Sequence, residues 1–312
     1  MSKKNNQIEY NDLGLGTKTS TGRYRSLNKD GSFNVKKENV PFLEKINFFH
    51  SLISMPWLHF FVVIIGGYFV VNTIFAFTYL LIGVEHLTGI QAESVSEKFM
   101  ECFFFSSQTI TTLGYGRIAP IGMIANTVAS VESMLGLLAF ALATGLLYGR
   151  FSKPSGKIKY SSYAVLAPYQ NINAFMFRVV NPQSNQLLEV EVNVSFSLKR
   201  DNSDSRDFYT LELERNKVVF FPSMWTVVHP ISETSPLYKL SEAEMLEKDA
   251  EFIVIMKAFD ESFSQTVYSR TSYRADEIKW GEKFVYLIKN NQEGVSVDVG
   301  RIDETEIAKL NE

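Results

Sequence analysis

One cysteine, Cys102, stands in 312 residues, so no intrachain disulfide and no cysteine-rich zinc site can form. The four histidines, His50, His59, His86 and His229, show no metal-ligating spacing. Net charge is only −3, without the basic excess that a nucleic-acid surface carries. A composition of 46% hydrophobic and 21% charged residues argues against wholesale disorder. No strand–helix alternation with a glycine fingerprint appears, which excludes a nucleotide-binding fold. GLGTKTS at residues 14–20 lacks the glycine spacing of a phosphate loop. Neither a cofactor nor a small-molecule substrate nor enzymatic chemistry is expected.

The most informative shortage is charge in the middle of the chain. Residues 57–149 hold two basic residues, Lys98 and Arg117, and five acids, Glu85, Glu93, Glu97, Glu101 and Glu132. The flanks differ, with net +4 over residues 1–56 and −4 over 150–312. Such a charge-poor block, rich in Phe, Leu, Ile, Val and Ala, has membrane composition. Trp57–Ile82 carries no formal charge, and its 26 residues span about 39 Å as a helix, enough to cross a bilayer. A second span is predicted at 121–148, with Glu132 as its only acid. Some fifty mostly polar residues precede the first span, so it does not read as a signal peptide. Lys36, Lys37 and Lys45 lie before the first span, and Arg150, Lys153, Lys157 and Lys159 follow the second. The positive-inside rule places both termini in the cytoplasm of a cell (inner) membrane protein.

The remaining chain divides by pattern. Residues 1–40 read as a flexible cytoplasmic arm. Residues 41–55 read as an amphipathic helix along the membrane surface, with Phe42, Ile46, Phe49 and Ile53 on one face. Residues 56–153 form the membrane domain, and residues 154–300 change to strands of period two. There Leu188, Val190, Val192, Val194, Phe196 and Leu198 alternate with polar residues, predicting a half-buried strand. Further strands are predicted at 175–180, 209–213, 218–221, 252–258, 266–270, 284–288 and 295–299. Ser241 and Glu244 match a capping box for one short helix. Many strands with few helices argue for a β-sandwich, and residues 301–312 form a tail.

Between the spans, residues 94–111 predict a helix opened by Ser94 and Glu97, too short to cross the membrane and return. Its continuation, Thr111-Thr112-Leu113-Gly114-Tyr115-Gly116, must line water or protein. Alternating glycines let successive carbonyls point to one axis. Four such loops would stack rings of oxygens that replace the hydration shell of K⁺, and the helix C-terminus also faces the cation.

SSQTITTLGYGRIAP, at residues 106–120, resembles potassium-channel pore loops. FVVNTIFA at 69–76, MFRVVNPQ at 176–183, VVHPISETSPLY at 227–238 and SRTSYRADEIKWGEKF at 269–284 are similar to inward-rectifier potassium channels of the prokaryotic branch. The resemblance covers roughly residues 40–300, with the motifs in family order. It implies an α+β membrane protein: two transmembrane helices, a re-entrant pore loop, and a cytoplasmic immunoglobulin-like β-sandwich. It also implies a homotetramer with K⁺ at the carbonyls of Thr112, Leu113, Gly114, Tyr115 and Gly116. Phe140, Thr144 and Tyr148 align with pore-facing gate positions, the two aromatics as constrictions, while helical period alone allows lipid or helix contacts equally; Gly136 reads as a hinge or as a close-packing site. Ser262, Phe263, Ser264, Gln265 and Thr266 align with the loop that narrows the cytoplasmic pore. His59, Arg150, Lys153 and Lys157 read as ligands for anionic lipid headgroups or as orientation-setting charge. Glu132 reads either as a functional intramembrane acid or as a structural hydrogen-bond partner. Lys257 falls where strong rectifiers align an acid, so weak rectification is expected. Gln108 stands where eukaryotic members usually carry an acid, and their extracellular cysteine pair is missing. The alternative from another class is a membrane-anchored β-sandwich binding or scaffolding protein with a vestigial pore.

Overall fold

The computed structural model describes residues 25–35, 38–39, 41, 47–153, 157–201, 205–221, 224–291 and 294–311. The GLGTKTS segment, and Phe42 and Ile46 of the surface-helix expectation, lie outside them. The chain forms two compact units, one over residues 38–153 and one from residue 157 onward that also takes residues 25–35.

In the first unit, α1 (Phe48–Ser54) is opened by Asn47, whose Oδ1 accepts the His50 amide at 3.0 Å. Pro56 separates it from α2 (Trp57–Ile82), because proline cannot donate to a preceding turn. Gly83, at φ +107°, ends α2. A two-residue strand β1 (Leu87–Thr88) precedes α3 (Val95–Ile110) and pairs with β2 (Ala119–Pro120), tying the two ends of the intervening loop together. The predicted Ser94–Glu97 capping box opens α3. α4 (Gly122–Phe151) completes the unit. Both α2 and α4 are long and apolar enough to cross a membrane. Ala76, Tyr79, Leu87, Cys102, Phe105 and Ile118 form the internal core, with the Tyr79 and Phe105 rings edge-on at 5.0 Å. Most other large side chains on the long helices face outward, as hydrocarbon or neighbouring helices require.

The second unit is a β-sandwich. Its strands are β3 (Lys159–Tyr160), β4 (Ala164–Tyr169), β5 (Ile172–Val180), β6 (Leu187–Lys199), β7 (Arg206–Thr210), β8 (Lys217–Phe221), β9 (Met224–Pro230), β10 (Glu251–Asp260), β11 (Gln265–Arg274) and β12 (Ile278–Trp280). The helix α5 (Glu242–Glu247), with its Ser241–Glu244 capping box, precedes β10. One sheet runs β11-β10-β6-β7 with β8 also on β6; the other runs β12-β4-β5-β3 with β9 on β5. Their inner faces meet where the Phe175 and Phe252 rings stack at 4.2 Å. Short strands β13 (Glu282–Phe284), β14 (Ile288–Asn291), β15 (Gly294–Val297) and β16 (Thr305–Ile307) pair as β13–β16 and β14–β15.

Several strand expectations need correction. The predicted strand at 284–288 is broken, because the Val285 carbonyl accepts from Arg178 rather than from a ladder partner. That at 295–299 stops early, because Asp298 Oδ1 accepts the Gly300 amide at 3.0 Å and starts a short 3₁₀ turn. The strand at 209–213 begins and ends earlier, at Arg206–Thr210. In β6 the outward serines 195 and 197 are buried rather than half-exposed, and Arg206 Nε donates to Ser197 Oγ at 3.0 Å.

Of the expected arm, residues 25–35 pack against the second unit, while residues 1–24 lie outside the described residues. The amides of Ser26 and Leu27 donate to the buried Glu251 carboxylate at 3.0 and 3.3 Å. Arg25 makes a two-pronged contact with Glu277, both oxygens at 3.1 Å. The Leu27 side chain is buried. This strap fastens the arm to the sandwich.

Candidate functional site

α3 has 16 residues, about 24 Å, well short of a bilayer core. Its last carbonyls are capped by the loop that follows. Gln108 O accepts the amides of both Leu113 (2.8 Å) and Gly114 (3.3 Å), and Thr109 O accepts that of Thr112 (3.0 Å). The backbone then alternates: Thr112, Gly114 and Gly116 have φ of +59°, +53° and +81°, while Leu113 and Tyr115 between them do not enter that region. Alternation of left-handed with ordinary residues turns successive carbonyls to one side, which a regular helix or strand does not. A left-handed conformation is costly for β-branched Thr112, and strain of this kind collects at functional sites. Leu113 and Tyr115 stand 55% and 74% exposed on the single chain.

Behind this loop, α3 is pinned to both long helices. Tyr79 Oη donates to Glu132 Oε2 at 2.7 Å, and Ser106 Oγ contacts Glu132 Oε1 and, at 3.0 Å, Asn72 Oδ1. All four residues are buried. Tyr68 also hydrogen-bonds Ser107. Beyond the loop, Arg117 bridges to Glu101 at 3.0 Å, and Glu101 accepts the Gln91 amide at 3.1 Å. Sequence reasoning missed Tyr79, Asn72, Ser106 and the Glu101–Arg117 pair. Only Glu132, a lone acid in an apolar span, announced itself.

On α4, Glu132 and Gly136 are buried against α3, one turn apart. A Cβ on Gly136 would lie 2.1 Å from Ile110 O, which supports the close-packing alternative. Phe140 and Tyr148, 75% and 74% exposed, lie on another side of the helix with Thr144, whose hydroxyl donates to Phe140 O at 2.9 Å. Among the described residues nothing covers that stripe, so it is free to face other copies or an axis.

The four basic candidates separate. Arg150 is engaged within the chain: Nη1 and Nη2 donate to the carbonyls of Leu52 (2.5 Å) and Met55 (2.7 Å), and the guanidinium lies over the rings of Trp57 and Phe60. It clasps the α1–α2 corner to the end of α4, with its donors turned inward. Lys153 Nζ donates to Ser54 Oγ at 3.0 Å. His59 and Lys157 are exposed.

In the sandwich, the predicted 262–266 loop is shorter than expected. Gln265 and Thr266 already pair with Asp260 and Phe259 in the β10–β11 hairpin, leaving Ser262, Phe263 and Ser264 in the turn. Asp260 Oδ1 shapes that turn by accepting the Ser262 amide at 2.9 Å, and Ser264 takes φ +50°. Lys257 is exposed on β10 opposite Glu191.

Comparison with known proteins bears on the same regions. Residues 158–311 match the family model "Inward rectifier potassium channel C-terminal domain", and residues 58–153 match the model "Ion channel". The chain is 33% identical over 297 residues to the inward rectifier potassium channel Kirbac3.1 of Paramagnetospirillum magnetotacticum, covering 93% of this chain and 98% of that one. It is 24% identical over 315 residues to the ATP-sensitive inward rectifier potassium channel 8 of Rattus norvegicus, covering 90% of this chain and 73% of the relative. The Homo sapiens counterpart gives the same identity over 313 residues.

Proposed function

This chain belongs to the prokaryotic branch of the inward rectifier potassium channel family, and we propose that four copies of it surround one K⁺-selective pore. One pore loop per chain supplies a quarter of each coordinating ring, so the ring closes only in a tetramer. The observation that carries this reading is the alternating backbone at Thr112, Gly114 and Gly116, held beneath the end of α3 by Gln108 O. Carbonyls of residues 112–116 coordinate K⁺, with the Thr112 hydroxyl forming the innermost ring. Conduction is passive and involves no catalytic group.

The gate lies on α4. Phe140 and Tyr148 present large apolar surfaces that close a narrow pore by dewetting, with Thr144 between them. Ser262, Phe263 and Ser264 at the tip of the β10–β11 hairpin form a second constriction in the cytoplasmic pore, followed by Gln265 and Thr266. Gly136 serves close approach of α4 to α3 rather than bending. His59, Lys153 and Lys157 are the positions open to anionic lipid headgroups. Both termini lie in the cytoplasm of the inner membrane.

Uptake of radioactive rubidium and sodium into liposomes containing the purified protein tests the proposal. Rubidium should enter far faster than sodium. Gly114→Ala should abolish uptake of both, because an alanine held at φ +53° costs about 1–2 kcal/mol in each subunit. A protein that assembles and passes neither ion would favour the alternative, a membrane-anchored scaffold with a vestigial pore.

A further inference from the structure

The contacts behind the pore loop contain more oxygen pairs than the neighbouring hydroxyls have hydrogens. Three close oxygen–oxygen contacts run in a line: Tyr79 Oη to Glu132 Oε2, Glu132 Oε1 to Ser106 Oγ, and Ser106 Oγ to Asn72 Oδ1. Each needs one hydrogen between its atoms. Tyr79 and Ser106 bring one hydrogen each. Asn72 cannot supply the third, because its Nδ2 donates to Tyr68 O at 2.7 Å, which fixes the amide and turns Oδ1 toward Ser106. The missing hydrogen must sit on the carboxyl group.

We propose that Glu132 is held as a neutral carboxylic acid that donates to Ser106, positioning the helix that carries the pore loop. The hydrogen bonds then run in one direction. Tyr79 donates to Glu132, Glu132 to Ser106, Ser106 to Asn72, and Asn72 to the backbone carbonyl of Tyr68. Every member is satisfied, and the chain joins α2, α3 and α4 at a single point.

The ionised alternative fails on the same geometry. A carboxylate would draw the Ser106 hydrogen to itself, leaving the Asn72 carbonyl oxygen 3.0 Å from a lone pair. Glu132 is completely buried, and among the described residues it has no ion-pair partner. A buried charge without a cation costs far more than a buried acid with both oxygens bonded. Ser106 lies on α3, six residues before Thr112 in the loop that follows it, so the acid reaches the filter through α3 and never touches the ion.

This assignment rests on the channel reading for its consequence, but not for the proton itself. The experiment therefore has two arms on the full-length tetramer in lipid. Infrared spectra of wild type minus Glu132→Gln should show the loss of one carbonyl stretch of an un-ionised carboxylic acid. A difference spectrum with carboxylate bands instead would overturn the proposal. In the second arm, Glu132→Gln should retain rubidium uptake and its preference over sodium, since an amide donates to Ser106 and accepts from Tyr79. Glu132→Ala, which strands Ser106 and Tyr79, should lose about tenfold in that preference. A Gln variant as unselective as the Ala variant would also overturn it. Wild-type protein that passes no ions would strike the channel reading alone, and the infrared arm would still decide where the proton sits.

Discussion

Gly136 on α4 passes so close to the end of α3 that a Cβ there would stand 2.1 Å from the carbonyl oxygen of Ile110. The obstacle is backbone, which cannot rotate away as a side chain could. A glycine that admits another backbone this closely is a packing device, and a hinge role would not require the contact. Gly136→Ala should therefore push α3 and α4 apart and lower stability by about 1–3 kcal/mol. Gly145, farther along α4, has open space at the same position. Gly145→Ala should leave the unfolding temperature of the purified protein unchanged or slightly raised. Equal behaviour of the two variants in a thermal melt would count against the packing role.

Arg150 carries the second expectation. Its guanidinium donates to two carbonyls at the α1–α2 corner and stacks over Trp57 at 4.4 Å and Phe60 at 4.6 Å. Lysine keeps the charge but lacks the planar fork. Arg150→Lys should thus resemble a loss of structure, at about 1.5–3 kcal/mol for a charge-assisted bond. Lys157→Gln removes charge from an exposed position and should leave the melting temperature alone. The two variants should part again in vesicles of rising anionic-lipid content. Arg150→Lys should keep the wild-type lipid response of rubidium flux, whereas Lys157→Gln should weaken it. A lost lipid response in Arg150→Lys would return that residue to the headgroup set.

Much of this architecture is legible in the chain because it is written in local terms. Freedom from charge over Trp57–Ile82 marks a span, and Ser94 with Glu97 marks where α3 begins. The glycines at 114 and 116 announce the unusual backbone that follows. What escaped detection depends on partners distant in sequence. Asn72 and Ser106 are ordinary residues until folding sets them beside Glu132, 60 and 26 positions away. Arg25 and Leu27 lie in a polar stretch, and their partners Glu277 and Glu251 stand more than two hundred residues later. β4 escaped because Ala164, Val165, Leu166 and Ala167 are all buried, and a strand covered on both faces shows no alternation. Arg150 reads as a lipid ligand or as orientation-setting charge because charge at a membrane boundary is visible in sequence, whereas the two carbonyls it binds are not.

The last expectation concerns His229 in β9, which sits buried in the sandwich. Its Nδ1 lies 2.6 Å from Glu212 O, and a backbone carbonyl can only accept, so Nδ1 carries the hydrogen. Nε2, 2.8 Å from Ser235 Oγ, then accepts from that hydroxyl in the neutral ring. Burial lowers the pKa of His229 below its ordinary value, against a smaller opposing effect of the Glu212 hydrogen bond. The unfolded chain, whose histidine titrates at about 6.5, therefore binds more protons than the folded one in mildly acidic solution. Stability contributed by this group is fully present above that value and is lost as pH falls toward the folded pKa. Melting temperature of the full-length protein should drop between about pH 7 and about pH 5. His229→Gln removes the titrating ring, so it should melt lower than wild type at neutral pH yet lose less on acidification. Parallel pH profiles for the two proteins would assign the acid sensitivity to other groups.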